Sequence, residues 1–540
     1  MKQRVIAVGM VGLFVAVVAW GTWRGRSAGG GDGEVIRMVH TYLSPDVVAG
    51  FAEAIKEYEA LHPGVRIEQQ TIPFRMYSPW LRTRFVGGIA PSIIEIPGAA
   101  MAEELSTYVR ELTPEIMTPN PYNDGGPLEG TIWRDTFING LRDPPNYVEV
   151  LLGYYSVPLS VVTYRMLYNK ELLKKLTGKD APPRNAREFA ELCAEIHRNS
   201  GKTVVPIAAD GRNGTSLLSE FMRTGSAGTL MALDPYGHFW NWDDEVAVAK
   251  LLGRWDFETP ALRAGLEDVA AVGPWLTPGF SEMGAGDSTF SFLQERAVFL
   301  VMQSFEYSLF MDQSDFPIGI APLPIGTYAG EREPGEGNVQ PICSLGVARD
   351  APHPERAVDF LRFLTSRQQN KQMVERSLWL PVVRGLDPIE ELTPFAPNLS
   401  GDPPGFGLWL FGSREQLPIS RNLHELIGIR GDVDRFVEKA EPEIDDELRG
   451  VLRRIKDRFN RIVSRADIVF GALNLAETEA EEPQVRNDAA LLEMQVMFQT
   501  RGAYYDLVLQ AEAEGKAYLA ELAGPPAEFP PKAATGDATP

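Results

Sequence analysis

The chain has 540 residues, 44% of them hydrophobic and 23% charged, so sizeable cores are available and general disorder is excluded. Its 73 acidic residues outnumber 52 basic ones for a formal net charge of −21, and a body this acidic repels nucleic-acid phosphates. Two cysteines and six dispersed histidines leave no structural zinc site, and neither metal nor cofactor is expected.

In chain order, Lys2 and Arg4 precede an apolar run from Val5 to Trp23, nineteen residues that nearly cover the ~30 Å hydrocarbon core of a bilayer. The run closes on Trp20, Trp23, Arg24 and Arg26, which suits an uncleaved signal-anchor with interfacial residues. A cleaved secretory signal is the alternative. No cysteine follows for lipid attachment. Residues 1–33, a membrane segment with a flexible tether, carry +3 and leave −24 on the remainder, which is expected on the extracytoplasmic face of the cytoplasmic membrane or, after cleavage, soluble in the periplasm.

Glu34 to His40 reads as a strand on its β-prone bulk. Ser44-Pro45 then starts a helix with a hydroxyl cap and a first-turn proline, Phe51, Ile55, Tyr58 and Leu61 recur on one face, and His62-Pro63-Gly64 ends it. Val65 to Ile72 follows as a strand, completing a strand–helix–strand unit. Ser92 to Ile96 is a further short strand. Asn185 caps a helix whose core face is Phe189, Leu192, Cys193 and Ile196; Gly201 stops it and Thr203 to Ala209 is the next strand. On that face Cys193 reads as a buried free thiol, although one disulfide with Cys343 is arithmetically possible. Pro354 opens a helix with Ala357, Phe360, Leu361 and Leu364 at the same spacing. This alternation argues for an α/β protein with mostly parallel sheets. Towards the C-terminus, Leu448, Leu452, Ile455, Phe459 and Ile462 form a narrow helical seam, a second helical stretch runs from about 487 to 522, and acidic residues 477–482 join them. A hairpin over 441–524 is expected, packed against the body or serving as a docking surface, with a disordered tail over 525–540.

Several segments, in order, resemble the extracellular solute-binding proteins of carbohydrate ABC importers, the maltose-binding-like group. They are Ala90-Pro91-Ser92-Ile93-Ile94; Tyr155-Ser156-Val157-Pro158 through Met166-Leu167-Tyr168-Asn169-Lys170; Ala297 through Phe305; Ile318 to Pro324; and Ser344-Leu345-Gly346-Val347-Ala348 with the helix from Pro354 and Leu380-Pro381. The sequence departs from that group at Ser92, where an aspartate is usual, at Phe305, where a tryptophan is usual, and at Gln303-Ser304 in place of a glycine-containing turn.

The resemblance implies a two-lobed periplasmic-binding-protein-like fold of type II, with the C-terminal α-helical hairpin added. Lobe one would hold residues 34–160 and 342–385, lobe two residues 161–341, and residues 386–440 would pack on the lobes. It implies a small polar ligand, in the first place a carbohydrate, clamped by hinge closure of the lobes, and ABC-transporter permease subunits as partners beside the membrane itself. Sugars need flat aromatic faces and paired hydrogen-bonding groups. Positions matching cleft-facing family segments are His40, Tyr42, Gly98, Thr163, Phe305 and Trp379, with Phe305 stacking and His40 and Tyr42 hydrogen-bonding. For His40 the alternative is a satisfied polar strand end, and for Phe305 and Trp379 ordinary packing. Trp240 and Trp242, in Phe239-Trp240-Asn241-Trp242-Asp243-Asp244, are a second candidate pair, sharing a face if the segment is extended.

An enzyme would need reactive groups, and the sequence holds no nucleophile elbow, phosphate loop or metal-ligand cluster. Adjacent acids such as Asp243-Asp244 and Asp445-Asp446 suit solvated turns better than a glycoside hydrolase or lyase, whose acids sit on separate elements. A tethered ligand-sensing receptor for a surface or signalling complex would use the same scaffold as a transport component.

Overall fold

The first strand, β1 (Glu34–His40), leads through helix α1 (Pro45–Leu61) to β2 (Val65–Thr71), and β2 leads through α2 (Phe74–Val86) to β3 (Ile93–Glu95). The bounds follow local chemistry. Pro45 occupies the first turn of α1, where a missing N–H costs nothing, and Gly64 takes the left-handed φ of 95° that turns the chain into β2. Ser44 precedes α1 as expected, but its hydroxyl makes no capping bond.

The chain continues through β4 (Val157–Val162), β5 (Tyr164–Asn169), α3 (Lys170–Thr177), α4 (Ala186–Asn199) and β6 (Val205–Ala208). It goes on to α5 (Asn213–Gly225), α6 (Asp243–Leu251), α7 (Pro260–Val272), β7 (Ala297–Gln303) and β8 (Ile318–Ala321). Last come β9 (Gln340–Val347), α8 (Pro354–Leu364), α9 (Arg367–Ser377) and the long α10 (Val433–Ala476). Asn185 caps α4 by accepting the Arg187 and Glu188 backbone N–H groups, as its position before the apolar face predicts.

This computed structural model describes residues 33–97, 108–141, 145–148, 153–226, 243–307, 313–328, 339–398, 407, 418–428, 431–476 and 499–525. The N-terminal apolar run, Gly98, Trp240, Trp242, the acidic turn at 477–482 and residues 526–540 lie outside them. Among the described residues no helix is long and apolar enough to cross a membrane.

The chain divides into two compact units, Met1–Val161 with Pro341–Ile389, and Val162–Gln340 with Glu390–Pro540. Unit 1 is built on a five-stranded sheet of order β2-β1-β3-β9-β4. β1 pairs in parallel with β2 (Glu34 opposite Val65) and with β3 (Met38 opposite Ile93), while β9 runs antiparallel to β3. Steps from β1 to β2 and from β2 to β3 move in opposite directions across the sheet, so right-handed crossovers put α1 and α2 on opposite faces. α1 meets α9 closely: a Cβ on Gly50 would stand 2.9 Å from the Met373 sulfur. α2 turns Tyr77 and Leu81 into a cluster with Val39, Ile94, Ile96, Val109, Val148 and Tyr155.

Unit 2 carries a four-stranded sheet of order β8-β5-β7-β6, in which β6 and β7 are parallel and β5 is antiparallel to both β7 and β8. Both sheets are therefore mixed, where strand–helix alternation predicts mostly parallel ones. The expectation holds for β1 to β3, joined by crossover helices. It fails where β5, β7, β8 and β9 pair with strands remote in sequence, whose direction no crossover dictates.

The C-terminal hairpin builds on unit 2. α10 starts at Val433, eight residues ahead of the expected 441, and buries Phe436, Ala440, Ile444, Leu448 and Leu452. Phe436 meets Phe257 edge to face at 6.1 Å, and Lys250 of α6 reaches Glu441 at 2.7 Å and Asp445 at 3.3 Å. A second helix over 499–513 returns antiparallel along α10, with Arg449 on Glu512 at 2.8 Å, Lys456 on Asp506 at 2.7 Å and Phe459 stacked on Tyr505. The expected seam residues Leu448, Leu452 and Phe459 are buried and Ile455 half-buried, so the apolar stripe extends towards residue 436 and fastens the hairpin to α6 and α7.

Candidate functional site

In an open α/β sheet, ligands meet loops at the carboxyl ends of parallel strands. In unit 1 this edge is formed by the ends of β1 and β3 and, because β9 is antiparallel, by the start of β9. β1 runs out through His40, Thr41, Tyr42 and Leu43, and β3 ends on Glu95. The Glu95 carboxylate accepts the Thr41 N–H at 2.6 Å, its carbonyl accepts the Tyr77 hydroxyl at 2.8 Å, and the Ile96 N–H donates to the Ser344 carbonyl at 2.8 Å. Glu95 is only 4% exposed. Burial pushes its carboxyl up to about 7, with the Thr41 N–H acting against the shift.

Tyr42 leaves this edge half-buried, its ring edge-on to Trp379 at a centroid distance of 4.8 Å. Burial, and then the neighbouring Glu95 and Cys343, raise its hydroxyl well above the ordinary range. Trp379 itself is buried. It follows α9 through Leu378, whose left-handed φ of 54° ends the helix, and its N–H donates to the Val374 carbonyl at 3.0 Å. Ser160 fixes the next residue by donating its hydroxyl to the Leu380 carbonyl at 2.8 Å. Leu43 and Phe74, which leave β1 and β2 at the same edge, are 55% and 66% exposed, an unusual display of apolar surface beside Tyr42.

His40 lies deeper. It is fully buried, stacked on Phe51 at 4.5 Å, with Nε2 2.8 Å from the Gln69 amide nitrogen and a buried Nδ1 that has no partner among the described residues. Burial lowers its pKa to about 4, so the ring is neutral at physiological pH.

In unit 2 the corresponding edge is formed by the ends of β6 and β7 and the start of β5. Gln303 donates its amide to the Tyr164 hydroxyl at 2.8 Å, while its buried Oε1 has no partner among the described residues. Asp210 shapes the turn after β6: one oxygen accepts the Arg212 and Asn213 N–H groups, and the other accepts the Ser288 hydroxyl at 2.7 Å. Arg212 forms an ion pair with Glu306, neighbour of the half-buried Phe305, in the short helix Ser304–Tyr307. Thr163 is fully buried, donates its hydroxyl to the Phe395 carbonyl at 2.7 Å and its N–H to the Ser304 hydroxyl at 3.4 Å, and accepts the Ser304 N–H on its carbonyl at 2.9 Å.

The structure thus brings together Tyr42 and Trp379 in unit 1, buries His40 at the end of β1, and ties Thr163 and Phe305 to the β5–β7 edge of unit 2. Gly98, Trp240 and Trp242 lie outside the described residues. Glu95 and Gln303 are not among the site residues that the sequence nominates, although each closes an apolar strand as its lone polar residue, in Ile93-Ile94-Glu95 and Leu300-Val301-Met302-Gln303. Such a residue at a strand end is a legible signal. The Arg212–Glu306 pair spans 94 positions and carries none.

Cys193 and Cys343 are both buried free thiols, one in each unit. Among the described residues no three metal-ligating side chains converge. The adjacent Asp445 and Asp446 are divided between different cations, Lys250 and Arg449.

A family model described as bacterial extracellular solute-binding protein matches residues 44–371, more than half of the chain. No curated protein matches the sequence. Among solved structures, the chain is similar to the cyclic alpha-maltosyl-1,6-maltose binding protein from Arthrobacter globiformis, with a TM-score of 0.54 and 17% identity over 77% of this chain and 99% of that one. It is also similar to the GacH receptor of Streptomyces glaucescens, whose structures include an acarbose complex, with a TM-score of 0.54 and 16% identity over 77% and 98%. RafE from Streptococcus pneumoniae, in its apo form, gives 0.54 and 15% over 76% and 97%. At these identities the likeness speaks to the fold, which is that of the two-lobed, type II binding proteins.

Proposed function

This chain belongs to the bacterial extracellular solute-binding proteins, and on that premise we propose that it captures a carbohydrate outside the cytoplasm and passes it to an ABC-type importer. The observation that carries this reading is the carboxyl edge of unit 1. There the half-buried Tyr42, backed by the buried Trp379 and with Leu43 and Phe74 exposed nearby, adjoins hydrogen-bonding groups on Thr41 and Glu95. A sugar ring presents the matching chemistry, an apolar C–H face and a rim of hydroxyls. Unit 2 offers polar groups at its own strand ends, Gln303, Tyr164 and Arg212. The named neighbours support the ligand class, since they bind a cyclic maltosyl-maltose and acarbose.

In this reading closure of the two units favours the liganded state, because a ligand that touches both shifts the hinge equilibrium by its extra contacts. The N-terminal apolar run serves as the export signal and anchor. The chain itself performs no catalysis. A thermal-shift screen of oligosaccharides and polyols tests the proposal. A true ligand at about 100 times its Kd stabilises the chain by about 2.7 kcal/mol, while a flat response across all carbohydrates, with a shift from a peptide or an anion, would exclude a sugar receptor.

A further inference from the structure

We propose that the outer face of α2 is a membrane-contact surface that seats unit 1 on an anionic lipid bilayer. α2 has two unlike sides. Tyr77 and Leu81 are buried in the core cluster, whereas Arg75, Met76, Pro79, Arg82 and Val86 recur at helical spacing along the exposed side, with Ile89 just beyond. Met76, Val86 and Ile89 are 63%, 82% and 60% exposed. Large apolar side chains in such a row are unusual on a soluble surface.

The charge of this stretch opposes that of the chain. Between Glu68 and Glu95 there is no acidic residue, while Arg75, Arg82 and Arg84 all fall within α2. In a chain of net charge −21, this is a place where lipid phosphates are attracted. Arg84 lies over the half-buried Trp80 ring at 5.2 Å, a cation and an aromatic side by side as the headgroup region favours.

Connectivity supports a bilayer over a protein partner. α2 runs back along the sheet, so Val86 and Ile89 lie towards the end at which β1 begins, at Glu34. Only residues 24–33 separate Glu34 from the apolar run ending at Trp23, and ten residues span at most about 35 Å. With that run retained in the membrane, as proposed above, so short a leash keeps this face within reach of lipid headgroups. This surface runs away from the ligand edge that Phe74 adjoins, rests on the anchor reading proposed above, and is the same whichever solute is bound.

The test uses the full chain reconstituted in vesicles, with an environment-sensitive dye on Val86→Cys. The native cysteines are buried, so the label is selective, and position 86 is open enough to accept it. A dye on Lys371→Cys of α9, which packs with α1 on the opposite face of the sheet, serves as control. In phosphatidylglycerol vesicles, lipid-borne quencher should quench position 86 well beyond position 371. The excess should fall in phosphatidylcholine or high salt. Arg75→Gln should lower the docked-to-undocked ratio about five-fold. Equal quenching at 86 and 371, or a signal indifferent to lipid charge, would overturn the proposal. Protection of position 86 only when a transporter is present would overturn it too, in favour of a protein partner.

Discussion

Replacing Glu95 by Gln isolates the titration of a carboxyl buried at the ligand-facing edge of unit 1. Glu95 is 4% exposed, and Tyr42, Tyr77 and Cys343 around it are uncharged at neutral pH, so burial dominates and raises its pKa from 4.5 to about 7. Below pH 4.5 the folded and unfolded chains both hold the proton, and the group is neutral towards stability. As pH climbs from 4.5 to about 7 the unfolded chain ionises while the fold still holds its proton, so stability falls and then levels off. A shift of this size corresponds to about 3 kcal/mol. Gln keeps the shape and offers an amide oxygen to the Thr41 N–H without titrating. The stability of the variant relative to wild type should therefore rise by about 3 kcal/mol between pH ~4 and ~8. Urea unfolding of both proteins at each pH measures this, and His40, common to both, cancels. A difference that stays constant within about 0.5 kcal/mol over that range would refute the buried, protonated assignment.

Three further substitutions follow from the packing. Thr163→Val removes the hydroxyl that donates to the Phe395 carbonyl at 2.7 Å, and leaving that carbonyl unpaired should cost unit 2 about 1–3 kcal/mol in denaturant unfolding. Gly346→Ala places a Cβ 2.6 Å from the Tyr155 carbonyl oxygen, a backbone atom that cannot swing away, so a loss of about 1–3 kcal/mol in unit 1 is expected from calorimetry. Lys250→Met strips the cation from the partly exposed Glu441 and Asp445, and exchange protection along α10 should drop by about 1–3 kcal/mol if the hairpin is fastened there.

Much of the fold was legible because its signals are local. The strand at Glu34–His40, the Pro45 start of α1, the Asn185 cap and the Pro354 start are written in adjacent residues. Strand direction was not, because β5, β7, β8 and β9 pair across long stretches of chain where no short connection enforces a direction. The sequence places the start of α10 too late because its first apolar contacts, Phe436 and Ala440, precede Pro442, and a proline inside a helical pattern reads as a boundary. At the site, the sequence points to Tyr42 and Trp379 separately, and only the fold shows that residues 337 positions apart share an edge-to-face contact.

The proposed role requires saturable capture of an intact carbohydrate at the Tyr42 edge. Titration calorimetry of the full chain with the oligosaccharide that raises its melting temperature most, run beside Tyr42→Ala, measures this directly. One site per chain, a Kd weakened about ten-fold or more by the substitution, and sugar recovered uncleaved are the predicted results. Absence of heat from any carbohydrate, affinity indifferent to Tyr42, or shortened sugar in the recovered ligand would contradict it.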